Sequence, residues 1–353
     1  MNKSSGSKAV AIWIGIGLLM LVVQVILGGV TRLTGSGLSI TEWNVITGVL
    51  PPLNEQAWIT EFNKYKQTLQ FHLLNSDFTL SHFKFIFFWE WLHRFWARLI
   101  GIVFIAGFVY LTYRKFLKRE MIRPLLILFL LGALQGAVGW IMVASGLTGD
   151  AVYVKPAKLA LHFIFAMGLI AYACWFLLEL TLGEKARVRA PALKKMATGI
   201  LVLLLFQLMF GALMAGHKAA TAAPTWPDIN GSLIPSELFR ERPVSINFIN
   251  NKITIHFVHR SLAYVILLLT AWFTLKVYRL QPAGLVFKKF RLVPAVLVFL
   301  QILTGITVLI SSPRIYANHW GAFEWLAQVH QVTGMLLALS FVSFVYLLKK
   351  PAD

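Results

Sequence analysis

Eight apolar runs, each about 20 residues and so long enough to cross a bilayer, decide what this chain of 353 residues can fold into; they fall at 9–30, 86–112, 124–144, 157–180, 196–216, 252–275, 291–311 and 323–347. In lipid every backbone N–H and C=O needs a partner inside the protein, and a helix satisfies its own. Each run is therefore a predicted transmembrane helix. Composition agrees: 58% of residues are hydrophobic and 13% charged, with a mean hydropathy of +0.71, whereas soluble domains are about 25% charged. The expected fold class is all-α integral membrane, with the lipid bilayer as solvent. Only a short polar stretch precedes the first run, which lacks a small-residue cleavage site. That is too little for a transit peptide, and we read a retained first helix in a bacterial plasma (inner) membrane.

The net charge of +19 could suggest nucleic acid, but the basic residues sit in short clusters between apolar runs, which is the orientation signal of membrane proteins. One side collects nineteen of the 33 Lys and Arg residues, from Lys3 and Lys8 through Arg114–Arg123, Lys185–Lys195 and Lys276–Arg291 to Lys349 and Lys350. That side is predicted to be cytoplasmic, with both termini on it and no nucleic-acid partner. The other side carries two long connections, 31–85 and 217–251, rich in Trp, Pro, Gly and Asn. Connections of that length tend to be lids or binding segments. The single cysteine, Cys174, excludes disulfides, thiolate metal sites and Cys-x-x-Cys-His haem attachment.

The two halves repeat. Units of 1–190 and 191–353 each hold four predicted helices and share orientation, as expected of parallel repeats related by a pseudo-two-fold axis along the membrane normal. Four Gln-x-x-x-Gly pairs support this: Gln24 to Gly28, Gln135 to Gly139, Gln207 to Gly211 and Gln301 to Gly305. The glycines permit close helix packing; the glutamines are either packing hydrogen bonds or ligand contacts.

The even-numbered helices supply one histidine each, His93, His162, His259 and His330, five to eight residues from the non-cytoplasmic end, or about 10 Å deep at 1.5 Å per residue. His93 and His259 are 166 residues apart, His162 and His330 are 168 apart. An isolated membrane histidine is more often a structural hydrogen bonder than a ligand. Four at matched depth in two repeats favour ligands, and a facing pair of imidazoles in an apolar four-helix unit suits bis-histidyl haem. Zinc competes less well, without His-Glu-x-x-His or a cysteine set. His72, His82, His217 and His319 lie in or beside loops and read as surface groups.

Charge inside the second run marks the most unusual stretch, 85–100, which places Glu90, His93, Arg94 and Arg98 in a membrane-grade segment; such charges are rare and functional. A similar pattern recurs at 252–264 with His256, His259 and Arg260. Arg94 and Arg260, each directly after a candidate ligand, either snorkel outward or neutralise haem propionates, for which guanidinium geometry is suited; Arg32 at the outer end of helix 1 is a further candidate. The halves differ where Glu90 stands in one and His256 in the other. A carboxyl there, in a wall that disfavours its charged form, could shuttle protons; the alternative is an inert buried glutamate paired with Arg94. The difference makes the first half the better catalytic site and the second the better fixed cofactor site.

These residues resemble a known family. Gly-Gly-Val-Thr-Arg-Leu-Thr-Gly-Ser-Gly-Leu-Ser-Ile-Thr-Glu-Trp at 28–43, Gly-Val-Leu-Pro-Pro-Leu at 48–53, Glu90-Trp-x-His-Arg, Leu-Gln-Gly-Ala-Val-Gly-Trp-Ile-Met-Val-Ala-Ser-Gly-Leu at 134–147, Leu-Ala-Leu-His162, Thr225-Trp-Pro, Phe-Val-His-Arg at 257–260 and Val-His330-Gln resemble the haem A synthase family, in its branch without paired loop cysteines. The resemblance implies oxidation of the C8 methyl of haem O to a formyl group, through two hydroxylations and loss of water, for cytochrome oxidase. It implies haem b held by His259 and His330, substrate haem flanked by His93 and His162, and Glu90 assisting. Haem O synthase and an electron acceptor would be partners. His256 stands where the family suggests glutamine, and the basic His217-Lys218 pair departs from it too. Two other classes remain on the residues alone: a diheme b-type electron-transfer cytochrome, and a small-molecule transporter.

Overall fold

The computed structural model describes residues 3–43, 47–182, 186–280, 285–315 and 320–349. Eight helices among them are long and apolar enough to cross a bilayer: α1 (Lys3–Leu33), α4 (Leu80–Tyr113), α5 (Arg119–Ala144), α6 (Pro156–Thr181), α7 (Pro191–Gly216), α8 (Lys252–Arg279), α10 (Val293–Ser311), which follows the short α9 (Leu285–Phe290), and α11 (Ala322–Leu347). No strand occurs among the described residues; Ile229 and Ser232 form an isolated bridge. The surface of the helices is apolar, with Ile12, Ile102, Phe129, Leu268 and Phe299 all more than half or half exposed. That is the arrangement of a protein solvated by lipid, so the multi-pass, all-helical expectation holds.

The packing repeats. α1 lies against α4 and α6, and α5 against α6; likewise α7 lies against α8 and α11, and α10 against α11. The four helices α1, α6, α7 and α11 join the two sets, through α6 with α7 and α11 and through α1 with α11. Small residues allow the approach. A Cβ at Gly107 would collide with the Trp13 indole, and one at Gly216 would stand 2.9 Å from Pro156. α11 is the most enclosed helix, burying Phe341, Phe344 and Tyr346 completely.

The first long connection is not a plain loop. Asn54 caps α2 (Glu55–Lys66) by accepting from Ala57 N at 2.8 Å, and Thr68 caps α3 (Leu69–Leu74). Phe62, Tyr65, Phe71, Phe83 and Phe87 stack into a small aromatic core under these helices. Thr79 then starts α4 earlier than hydropathy indicates, in a capping box with His82. The 34 residues of α4 extend about 51 Å, well beyond a hydrocarbon core of about 30 Å. Its outer turns carry the α2–α3 cap.

Candidate haem-binding site

The four glutamine–glycine pairs each meet the histidine of the following spanning helix. Gln24 Nε2 donates to the His93 carbonyl at 3.2 Å. Gln135 Nε2 donates to the His162 carbonyl at 3.1 Å and lies 3.1 Å from its Nδ1. Gln207 Nε2 stands 3.4 Å from His259 Nε2, and Gln301 Nε2 3.2 Å from His330 Nε2. One turn on, a glycine leaves room for the ring: a Cβ at Gly28, Gly139, Gly211 or Gly305 would fall 3.3, 2.9, 3.2 or 2.9 Å from the imidazole. The glycines thus seat histidine rings as well as helices. Thr304 Oγ1, 3.2 Å from His330 Nδ1, is a further contact that sequence reading missed. Its place one residue before Gly305 was the available signal.

All four histidines line one continuous cavity of about 1460 Å³. Within it the rings of His259 and His330 face each other with centroids 6.4 Å apart and planes inclined by 68°. A metal–nitrogen bond of about 2.0 Å and roughly 1.1 Å from nitrogen to ring centre on each side give about 6.2 Å for two imidazoles on one iron. The pair therefore fits an axially ligated haem. His93 and His162 face the same cavity from α4 and α6. The side-chain amide oxygens of Gln24, Gln135, Gln207 and Gln301, and His259 Nδ1, are buried with no hydrogen-bond partner among the described residues. Buried polar groups normally find partners, so these atoms also suit a cavity built around a bound group.

Both arginines that follow a candidate ligand hold a long connection. Arg94 donates to the carbonyls of Glu42 at 3.0 Å and Ile40 at 3.1 Å, pairs with Glu90 at 2.6 Å and stacks 4.8 Å from the Trp43 ring centre. Arg260 donates to the carbonyls of Thr225, Asp228 and Ala223 at 3.0, 2.7 and 2.8 Å. These bonds account for much of each guanidinium, although both side chains still border the cavity. Arg32 differs: it also lines the cavity, and its Nε is buried with no hydrogen-bond partner among the described residues.

Glu90 is 2% exposed, and both of its oxygens are engaged. Oε1 takes Arg94; Oε2 accepts from Ser39 Oγ at 2.7 Å and Ile40 N at 2.9 Å. The carboxyl is thus fully hydrogen-bonded and paired with Arg94, rather than set against bare apolar wall. Ser39 lies fifty-one residues away in sequence, which no local pattern reveals. His256, its counterpart, contacts the Ala219 carbonyl at 2.7 Å and so fastens the second connection rather than the cavity centre. His217 does the same through the Ile249 carbonyl at 2.6 Å, and His82 belongs to the α4 cap. His319 lies outside the described residues.

The connections close the outer end. Gln70, Leu74, Asn75 and Phe78 of the α2–α3 cap border the cavity, and Gln70 Nε2 reaches the Val152 carbonyl at 3.3 Å, tying the cap to the α5–α6 turn. Tyr65 accepts from Asn75 at 2.6 Å and donates to Gln70 at 3.1 Å; burial pushes its phenol up to about 12. In the second connection Asp228 accepts from Thr225 Oγ1 and Gly231 N at 2.6 and 2.7 Å, which holds its carboxyl below the usual range.

Comparison with known proteins matches residues 11–342 to a family described as cytochrome oxidase assembly protein, COX15-CtaA. The chain is 39% identical over 353 residues to a haem A synthase of Rhodospirillum centenum, covering 99% of this chain and 91% of that one. It is 42% identical over 284 residues to a haem A synthase of Methylorubrum populi, 79% of this chain and 74% of the relative. A third, from Rhodopseudomonas palustris, is 46% identical over 271 residues, 76% and 72% of the two chains. With the match running through every spanning helix, the chain belongs to the haem A synthase family of cytochrome oxidase assembly proteins.

Proposed function

We propose that this protein is a haem A synthase, an oxidoreductase that converts a methyl group of haem O into a formyl group, with haem b as resident cofactor in the half 191–353 and substrate in the half 1–190. The observation that carries the reading is the facing of His259 and His330 across 6.4 Å inside a cavity that reaches a second histidine pair. Bound haem supplies one-electron and oxygen chemistry. The chain's own residues do the rest. His259 and His330 hold the cofactor iron, their rings seated by Gly211, Gly305 and Thr304. His93 and His162 flank the substrate porphyrin from α4 and α6. Arg32 offers a buried guanidinium to a propionate, with Arg94 and Arg260 as outer contributors.

Glu90 acts beside the substrate histidine by fixing Arg94 and the backbone at Ile40, so that the first connection closes over the porphyrin. A proton exchanged at Glu90 has Ser39 Oγ as its nearest hydroxyl, at 2.7 Å. The apolar cap excludes water from the site, which strengthens every electrostatic contact within it. The clustered basic residues support a cytoplasmic face for both termini and the opposite face for the haem clefts. Haem O synthase is the natural supplier of the substrate, and an electron acceptor completes each turnover. Expression with a supply of haem O, followed by pigment extraction, tests the reading. Hydroxylated haem O and haem A are expected; folded, haem-loaded protein without either overturns it.

A further inference from the structure

The cavity is not equally deep in the two halves. Along α1, α4 and α5 its lining continues to Trp13, Ile105 and Leu128, whereas along α7, α8 and α10 it stops at Gln207, Tyr264 and Gln301. Since Gln24 corresponds to Gln207, His93 to His259 and Gln135 to Gln301, the first-half branch runs on toward the middle of the bilayer after its counterpart has ended. The extra depth is about 10 to 16 Å at 1.5 Å per residue.

Glycines open that branch: Gly17, Gly101 and Gly132 line it and Gly136 stands at its mouth, and a Cβ on any of them would meet nothing within 4 Å. In the register set by the glutamine and histidine pairs, the second half has Ile200, Leu267, Val298 and Ile302 at these places. Ile200 and Val298 are core residues, 1% and 3% exposed, and Leu267 packs against them. Three of the four positions are thus open space in one half and filled core in the other, while Ile302 lines the cavity as Gly136 does.

The branch also opens sideways. α8 and α10 pack together, but α4 and α5 make at most passing contact. Gly101, Ile105, Phe129, Gly132, Ala133 and Gly136 both line the cavity and are exposed on the helix surface, where lipid lies. Toward the outer end of this seam, between Gly132 and Gly136, the side-chain oxygen of Gln135 is buried with no hydrogen-bond partner among the described residues.

We infer that the α4–α5 seam is a lateral portal for a porphyrin that carries one long apolar side chain, as haem O does. The ring enters from the bilayer to lie between His93 and His162, and the side chain remains in the glycine-lined branch, below the polar outer end. The filled seam between α8 and α10 has no such exit, so the second half retains its haem. The inference rests on the haem O reading and adds the route and the seat of the tail.

The double variant Gly101→Leu with Gly132→Val installs the second half's residues where the Cβ positions are open. Gly168→Val is the control, since Gly168 also has nothing within 4 Å and does not border the cavity. Uptake of haem O from liposomes is followed by the Soret band in the purified full chain, alongside resident haem content and uptake of haem b as a tail-less probe. The double variant is expected to take up haem O at least tenfold more slowly, with resident haem unchanged and haem b uptake less affected; the control keeps the wild-type rate. Haem O uptake at the wild-type rate overturns the portal, as does equal slowing of the tailed and tail-less porphyrins, or a phospholipid chain in the seam that haem O does not displace. Uptake is read separately from conversion: a wild-type protein that takes up haem O without forming haem A overturns the functional reading and leaves the portal standing.

Discussion

Replacing Gly305 by alanine sets a methyl carbon 2.9 Å from Cε1 of His330 and 3.4 Å from its Nδ1. Carbon atoms in contact prefer about 3.5–4.0 Å, so the ring must retreat by roughly 0.6–1 Å. An axial metal–nitrogen bond tolerates about 0.2 Å, and the 6.4 Å spacing to His259 leaves no slack to absorb the difference. Overpacking of this kind costs about 1–3 kcal/mol, partly offset by the roughly 0.5–1 kcal/mol that alanine gains over glycine in a helix. The protein should therefore fold, with stability lowered by no more than about 2.5 kcal/mol, while cofactor affinity falls by about tenfold for each 1.4 kcal/mol that the displaced ligand loses. The assay is the optical spectrum of the purified protein with its haem content: a shift from six-coordinate low-spin toward five-coordinate high-spin iron and partial haem loss. Gly168→Ala, with open space at its Cβ, should leave the spectrum alone and raise the melting temperature slightly. A Gly305→Ala protein with wild-type spectrum and full haem would refute the claim that this glycine seats a ligand.

Three other outcomes follow from the same geometry. Glu90→Gln keeps the side chain's shape but loses the charge opposite Arg94; breaking such a buried pair costs about 3–5 kcal/mol, and product formation should fall with second-half haem retained, so unchanged product would argue against any role in turnover. Arg260→Leu removes three bonds to the carbonyls of residues 223, 225 and 228; hydrogen bonds to charged groups are worth about 1.5–3 kcal/mol each, and amide exchange across 219–232 should accelerate while that of 55–74 does not. Tyr65 has a phenol raised from 10.0 to about 12: its contribution to the cap is complete below pH 10 and is lost as pH rises toward 12, an alkaline loosening that Tyr65→Phe should abolish, read from tryptophan emission.

The spanning helices were legible because twenty apolar residues admit few other structures, and the matched histidines because a duplicated chain repeats its register. The α2–α3 cap was not, since short polar helices with Trp58, Phe62 and Tyr65 on one face carry no long apolar run. The arginines show a subtler limit. Sequence pattern offered a snorkelling cation or a propionate partner for Arg94 and Arg260, and could not show the backbone carbonyls both also hold, since a carbonyl accepts from a guanidinium as a carboxylate does and leaves no mark in composition. Glu90 was read as a charge in an apolar wall because Ser39 Oγ and Ile40 N, its actual neighbours, come from a distant turn. Gly17, Gly101, Gly132 and Gly136 were visible throughout; only the empty space beside them distinguishes them from packing glycines.

Where the two halves meet, Gln328 and Gln331 of α11 reach across to the carbonyls of Ile26 and Val25 at 3.2 and 2.9 Å, filling the notch left by Gly29 of α1. In hydrocarbon each of those amides would otherwise lack a partner, at a cost of several kcal/mol. Two halves that met only through generic apolar faces could be split and reassembled from fragments. Here the amides of α11 find their acceptors on α1, so that one half solvates polar groups of the other. The two halves therefore insert and fold as one unit.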